Sequence, residues 1–350
     1  MKKTALLAFL LTVFMMAPTA LARKPKTIAK PPAPEKINLV WQADVEGPGT
    51  KFDQLPKIDG VNIVSPCWFD VATARGLIRN KIPNRDSVKA LHSLGYKVWP
   101  LITNSFNPDL THLLINSPEG RENLKINLLS LADKYQFDGY NFDFEKIADQ
   151  DRAGLTSLFQ EIMPVLKARK LTVSIDVTIP SNTPYWSVCY DRKALAKTAD
   201  YIMLMTYDQY HPAMHQRGST AALNWVTAKL EETLKEVPAN KLILGVPFYS
   251  RIWESQGQSS YANGKTIDMA TMEDTIVKQK ATPIWHPEWG QNYVEFQKNG
   301  LIYSFWQENA ASLTEKVKLV HKYNLPGIAC WRKGFETPDV WPALNAELNK

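Results

Sequence analysis

The stretch FDGYNFDFEKI, residues 137–147, sets Asn141, Asp143 and Glu145 two residues apart, with Asp138 just ahead of them and Tyr140, Phe142 and Phe144 in between. In an extended chain, residues two apart share a face. The amide and the two carboxyls therefore project to one side while the aromatic rings pack on the other. Carboxyls in this arrangement stand roughly 6 to 7 Å apart along the strand. At that range each disfavours ionisation of the other, and the outermost is held as a protonated acid near neutral pH. A protonated carboxyl at a cleft mouth is what cleavage of a glycosidic bond requires. The competing reading is a buried polar ladder without chemistry, but inward carboxyls are costly unless they are paired.

Such a strand needs neighbours. Runs rich in Val, Ile and aromatics recur at INLVWQADV, GVNIVSPCWF, KVWPLITNSF, FDGYNFDFE, LTVSIDVTIP, YIMLMTYD, KLILGVPFYS and PGIACW. Helical apolar spacing fills 87–94, 119–135, 151–167, 223–237 and 311–323. Eight strands joined by crossover segments predict an α/β fold, a TIM (β/α)8 barrel, with Glu145 at the C-terminal mouth where barrel enzymes keep their chemistry. The interval from Leu242 to Gly327 is about double the others. A small α+β insertion between strand 7 and helix 7, about 253–308, accounts for the extra length. Within it NYVEFQKNGLIYSFW reads as a hairpin turning at Asn299-Gly300. Trp285 and Trp289 are expected to close the insertion's own core in preference to forming a sugar-stacking wall.

Composition narrows the setting. With 45% apolar residues in 350, the chain can bury a large core. MKKTALLAFLLTVFMMAPTALA has the basic start, short apolar run and small residues of a secretory signal, 1–22, and the run is short for a membrane span. No cysteine lies near the cleavage point, which argues against a lipid anchor. Of the net +6, the signal carries +2 and the Pro/Lys-rich arm 23–36 carries +4, which leaves 37–350 neutral. The arm is expected to be extended and suited either to contact with an anionic cell wall or to a plain linker role. A neutral body without a basic aromatic face gives no support to nucleic-acid binding. Cys67, Cys189 and Cys330 are too few and scattered for a disulfide framework or a zinc site, and are read as buried packing residues. His211 and His215 flank a Pro212 loop, with His286 far off, so a metal site is not expected.

These residues carry a resemblance. DGYNFDFE resembles the D-G-x-D-x-D-x-E signature on the fourth strand of glycoside hydrolase family 18. MLMTYD resembles that family's sixth-strand M-x-Y-D motif, and GIACW its eighth strand. The likeness runs from about Ile37 to the C-terminus. It implies that Glu145 protonates the leaving oxygen and then activates water, and that Asp143 orients the substrate's N-acetyl group, whose carbonyl oxygen is the nucleophile. It further implies that Tyr207 donates to that oxygen, Asp208 contacts the sugar, Met205 lines the site and Trp331 stacks beneath the ring. Neither metal nor cofactor is implied.

Position 141 departs from the pattern, being Asp in most chitinases. Asn141 removes a charge, so Asp143 is expected to ionise more readily and the pH profile to be simpler. Asn there, with SPCWFDV, NSFNPDLTHLL and LILGVPFYSRIW, resembles the bacterial branch of spore-cortex and peptidoglycan N-acetylglucosaminidases. The implied partner is an N-acetylated polysaccharide, peptidoglycan first and chitin oligomers second. The implied location is secreted or cell-envelope, and a monomer is the default. The alternative class is a non-catalytic, lectin-like barrel, which would have no use for a proton donor at Glu145.

Overall fold

The computed structural model describes residues 35–43, 57–82, 86–257, 259 and 261–350. The expected signal and all but the last two residues of the basic arm lie outside these. From Lys36 onward the described chain is one compact unit. Its main sheet follows the predicted runs: Ile37–Gln42, a second strand in two pieces, a third in two pieces, Gly139–Asp143, Thr172–Thr178, Tyr201–Met205, Leu242–Pro247 and Gly327–Trp331. Neighbours pair in parallel, and the first strand lies beside the eighth, Ile37 opposite Gly327.

Closure falls between the two broken strands. The second comprises Ile63–Pro66 and Phe69–Val71, the third Lys97–Val98 and Leu101–Thr103. Ile63 pairs with Lys97 in the lower halves and Phe69 with Ile102 in the upper halves, which completes the ring. Pro100 separates the pieces of the third strand; it has no N–H to give the ladder, but its carbonyl accepts from the Asn141 N–H at 3.1 Å.

Alternation sorts the strand side chains into two cores. Ile37, Leu39, Trp41, Ile63, Trp99, Leu101, Met203, Ile243 and Ala329 fill the barrel interior. Val40, Tyr140, Phe142, Ile175, Ile202, Leu244 and Ile328 face outward against the helices. Trp99 stacks on Tyr201 at 6.1 Å in the interior. There is room for that indole because position 139 is glycine: a Cβ on Gly139 would sit 2.8 Å from the Trp99 ring.

Helices Ser87–Ser93, Pro118–Tyr135, Arg152–Ala168 and Ala310–Lys322 follow the predicted spacing. Leu223–Thr233 stops short of 237, consistent with the bias against helical geometry just before Pro238. Pro108–Ile115, Arg192–Thr198 and Val340–Leu348 were not anticipated. The first of these is signalled locally, since the Asn107 side chain caps it by accepting from the Leu110 N–H at 3.0 Å and Pro108 opens it.

The insertion between the seventh and eighth strands is a five-stranded antiparallel sheet with helix Met269–Gln279. It begins at Tyr249–Ser255, directly after the seventh strand. Its hairpin joins Gln291–Lys298 to Leu301–Gln307 through Asn299 (φ 52°) and Gly300 (φ 77°), the left-handed pair a tight two-residue turn needs. Trp289 stacks on His286 at 4.2 Å and meets Trp306 at 6.0 Å, while Trp285 is 39% exposed. Trp289 is thus part of the insertion's own packing, as expected, and Trp285 is not. Cys189 and Cys330 are buried and Cys67 is half-buried, and none of the three is in a disulfide.

A buried polar network ties the insertion to the barrel. Lys316 and Glu308, both 0% exposed, pair at 2.9 and 3.0 Å. Glu308 also accepts from Ser312 at 2.7 Å and from Gln291 at 2.6 Å, and Ser219 donates to Gln291 at 2.6 Å. Removing one charge leaves the other buried and unpaired. Lys316→Met is therefore expected to lower unfolding free energy by about 3–5 kcal/mol, and Lys316→Met/Glu308→Gln to recover part of the loss, in urea denaturation.

Candidate active site

The fourth strand ends at Asp143, so Glu145 stands two residues beyond the ladder. Side chains hold it in place of strand hydrogen bonds. Tyr190 donates its hydroxyl to the Phe144 carbonyl at 2.7 Å. Asn104, from the end of the third strand, accepts from the Glu145 N–H at 3.1 Å and donates to the Glu145 carbonyl at 2.7 Å. Phe144 still points outward, against Phe159 at 5.6 Å, so the alternation survives past the ladder. Lys146 then takes a left-handed φ of 53°, and the chain leaves the barrel rim.

The carboxyls are closer than strand spacing alone predicts, for Asp143 and Glu145 share a hydrogen bond. Burial pushes Asp143 up to about 6, and the bond from Glu145 opposes that rise. Glu145 is held well above the ordinary carboxylate range by burial first, then by the negative charges of Asp143 and Asp176. Glu145 is the proton donor of the pair and Asp143 the acceptor.

Asn141 does not line the cleft. It is 0% exposed, one pleat below Asp143. Its Oδ1 accepts from Trp41 Nε1 at 2.7 Å, and its Nδ2 donates to Ser174 at 3.1 Å and to Asp176 at 2.6 Å. It therefore acts as a strut within the interior and has no route to a substrate. Nor does the amide at 141 leave Asp143 short of acidic neighbours. The charge missing at 141 is present one strand over, on Asp176, which is itself held well above its usual range by burial and by Asp143.

The sixth strand supplies the opposite wall. Met205 is buried, Tyr207 half-buried and Asp208 exposed with a φ of 58°. A cleft of about 600 Å³ is lined by Glu145, Thr178, Trp186, Met205, Tyr207, Asp208 and His211. The structure thus brings four of the predicted residues onto one cavity with Asp143 beneath. Trp331 stands at the end of the eighth strand, across the barrel, with its ring 6.0 Å from Trp41.

Several contributors went unread in the sequence. Asp176 sits inward on the fifth strand, and its signal was visible in LTVSIDVTIP, where Ser174, Asp176 and Thr178 alternate with apolar residues. Asn104 acts through backbone contacts that no spacing reveals. Tyr249 and Arg251 come from the first strand of the insertion: Tyr249 donates to Asp208 Oδ1 at 2.8 Å and Arg251 pairs with it at 2.6 Å. Trp186 is 40% exposed on the cleft wall. His211 borders the cleft, and His215 stacks on Tyr261 at 4.8 Å. Among the described residues no cluster of His, Cys, Asp and Glu is arranged to hold a metal.

Known proteins resemble this chain in sequence and in fold. Residues 75–335 match the profile of glycosyl hydrolases family 18. The uncharacterized glycosylase YvbX of Bacillus subtilis is 28% identical over 261 residues, 71% of this chain and 74% of that protein. The cortical fragment-lytic enzyme of Bacillus subtilis is 25% identical over 71% of this chain but only 59% of its own length. Among solved structures, a chitinase from Chromobacterium violaceum superposes with a TM-score of 0.81 at 24% identity, covering 90% of this chain and 99% of that one. The spore cortex-lytic enzyme SleL of Bacillus megaterium superposes with a TM-score of 0.78 at 20% identity, covering 91% and 76%. The solved structures support the barrel fold, and the profile, matched over most of the chain, supports the chemistry: the protein belongs to glycosyl hydrolases family 18 and is a glycosidase.

Proposed function

We propose that this glycosidase is exported and cleaves β-linked N-acetylglucosamine bonds, foremost in peptidoglycan, with retained configuration. The observation that carries the reading is Glu145, a carboxyl on the cleft wall that burial and Asp143 keep protonated. Glu145 gives its proton to the glycosidic oxygen as the bond to the anomeric carbon breaks. The substrate's own acetamido oxygen closes on that carbon to form an oxazolinium ion, so the enzyme needs no carboxylate nucleophile. Asp143 accepts from the acetamido N–H and offsets the developing positive charge, and the Tyr207 hydroxyl donates to the acetamido oxygen. The Glu145 carboxylate then takes a proton from water, which attacks the anomeric carbon and reopens the ring. Trp331 beneath the sugar and Trp186 along the wall offer aromatic faces for the pyranose rings.

Peptidoglycan is favoured because cortical fragment-lytic and spore cortex-lytic enzymes are among the relatives. Chitin oligomers are the second substrate, since a class V chitinase of tobacco, with a TM-score of 0.77 at 18% identity, was solved with NAG4. The leader read at 1–22 gives export, and the +4 arm gives an electrostatic hold on an anionic wall.

Three outcomes follow. Residues 23–350 incubated with purified peptidoglycan are expected to release fragments ending in reducing N-acetylglucosamine by mass spectrometry, and Glu145→Gln to release none. Cleavage of chitotetraose alone would move the substrate to chitin. Tyr207→Phe is expected to lower kcat by roughly 10²-fold with little change in KM, because the acetamido oxygen loses the donor that orients it for attack on the anomeric carbon. Stability should also respond to pH. A carboxyl whose pKa is raised in the folded state holds a proton that the unfolded chain releases, so stability falls as pH rises from the unfolded value through the raised one. Glu145→Gln is thus expected to melt higher than wild type at about pH 8, by a few degrees, and to show little difference at about pH 4.

A further inference from the structure

Asp176 has no part in the steps above, yet it is 2% exposed and points into the barrel. On the fourth and fifth strands Asn141 pairs with Ser174 and Phe142 with Ile175, so the next positions, Asp143 and Asp176, lie side by side about 4.8 Å apart in backbone. Asn141 fixes one end of the Asp176 carboxyl. The Trp41 indole is a donor only, so the Asn141 oxygen must face it and the amide N–H must face Asp176 Oδ1, at 2.6 Å. That oxygen is an acceptor, and a proton on this acid sits on the other one. Asp143, meanwhile, has a buried Oδ1 without a hydrogen-bond partner. A buried carboxylate oxygen left unpartnered is costly. Among the described residues no lysine, arginine or histidine pairs with Asp143, Glu145 or Asp176, and Arg251 is taken by Asp208. With no cation at hand, more than one negative charge on the three is unfavourable.

We propose that Asp176 is a positioning residue for the reaction: a protonated carboxyl that donates from the fifth strand to Asp143 and holds it ionised and aimed at the acetamido N–H. The site then has two proton-bearing acids flanking one carboxylate. Asp176 keeps its proton throughout while Glu145 gives its proton up. The other groups around Asp176 are consistent with this. Glu145 and the Tyr207 hydroxyl face it electrostatically, Ser174 and Ser65 meet Asn141, and Met203 is its partner on the sixth strand. None of them is a cation.

This deepens the proposed function and rests on it for the role of Asp143, so the test has one arm without substrate. In infrared difference spectra at pH 7, wild type minus Asp176→Asn is expected to contain a protonated-carboxyl C=O band, distinct from the band removed by Glu145→Gln. Absence of that band overturns the inference whether or not any sugar is cleaved. The second arm uses chitotetraose and a fluorogenic N-acetylchitobioside. Asp176→Ala is expected to lower kcat at least about tenfold with KM unchanged and to move the acid limb of the kcat profile to higher pH by about one unit, because Asp143 loses a bond to its charged form. An amide donates as the protonated acid does, so Asp176→Asn should restore most of the rate and the limb. If Asp176→Asn and Asp176→Ala are equally impaired, or neither moves the limb, Asp176 is packing only. Thermal melts of both variants separate these outcomes from misfolding.

Discussion

A carboxyl taken out of water must find a cation, keep its proton or lean on a neighbour that does, and this barrel is built around that constraint. Asp143, Glu145 and Asp176 are gathered at one end of the lumen with no cation among them. The acid the reaction needs is therefore present as a consequence of where the side chains stand. Glu145 is proton-bearing because it is buried and because Asp143 is beside it, and burial raises Asp143 as well. The apolar lining of the lumen sets the dielectric in which these effects are large.

Holding such a cluster requires that nothing around it be loose. The Trp41 indole fixes the Asn141 amide, and the amide orients Asp176. Asn104 grips both backbone groups of Glu145 from the adjacent strand. Each support is a buried or half-buried hydrogen bond whose loss would leave a polar group unsatisfied.

Much of this was legible in the sequence. Strand positions emerged from apolar runs because each barrel strand is buried on both sides, and the inward set on the fourth strand emerged from period-two alternation. What stayed hidden was lateral. Asp176 is one strand from Asp143 but 33 positions away in the chain, and no within-strand pattern reports on a neighbour's register. Asn141 illustrates the cost: as a letter in a motif it reads as a missing charge, while in the fold it is the strut that orients a charge-bearing group supplied from elsewhere. Asn104, Tyr249 and Arg251 act through backbone clamps and loop geometry, which periodicity does not encode. Pro108–Ile115, Arg192–Thr198 and Val340–Leu348 were missed because seven to nine residues leave room for only a weak apolar stripe, although Ser87–Ser93, equally short, was read.

The insertion sheet has a wider meaning than its size suggests. Its first strand delivers Tyr249 and Arg251 to Asp208, and its last strand leads into the Glu308–Lys316 pair. A module that merely decorated the barrel could be exchanged between homologous enzymes like a cassette. Here a graft would take away the Tyr249 and Arg251 contacts that orient a cleft residue and cut a buried ionic knot at its other end. Any transplant of this cleft into another barrel would have to carry the insertion and the strands on either side of it as one block.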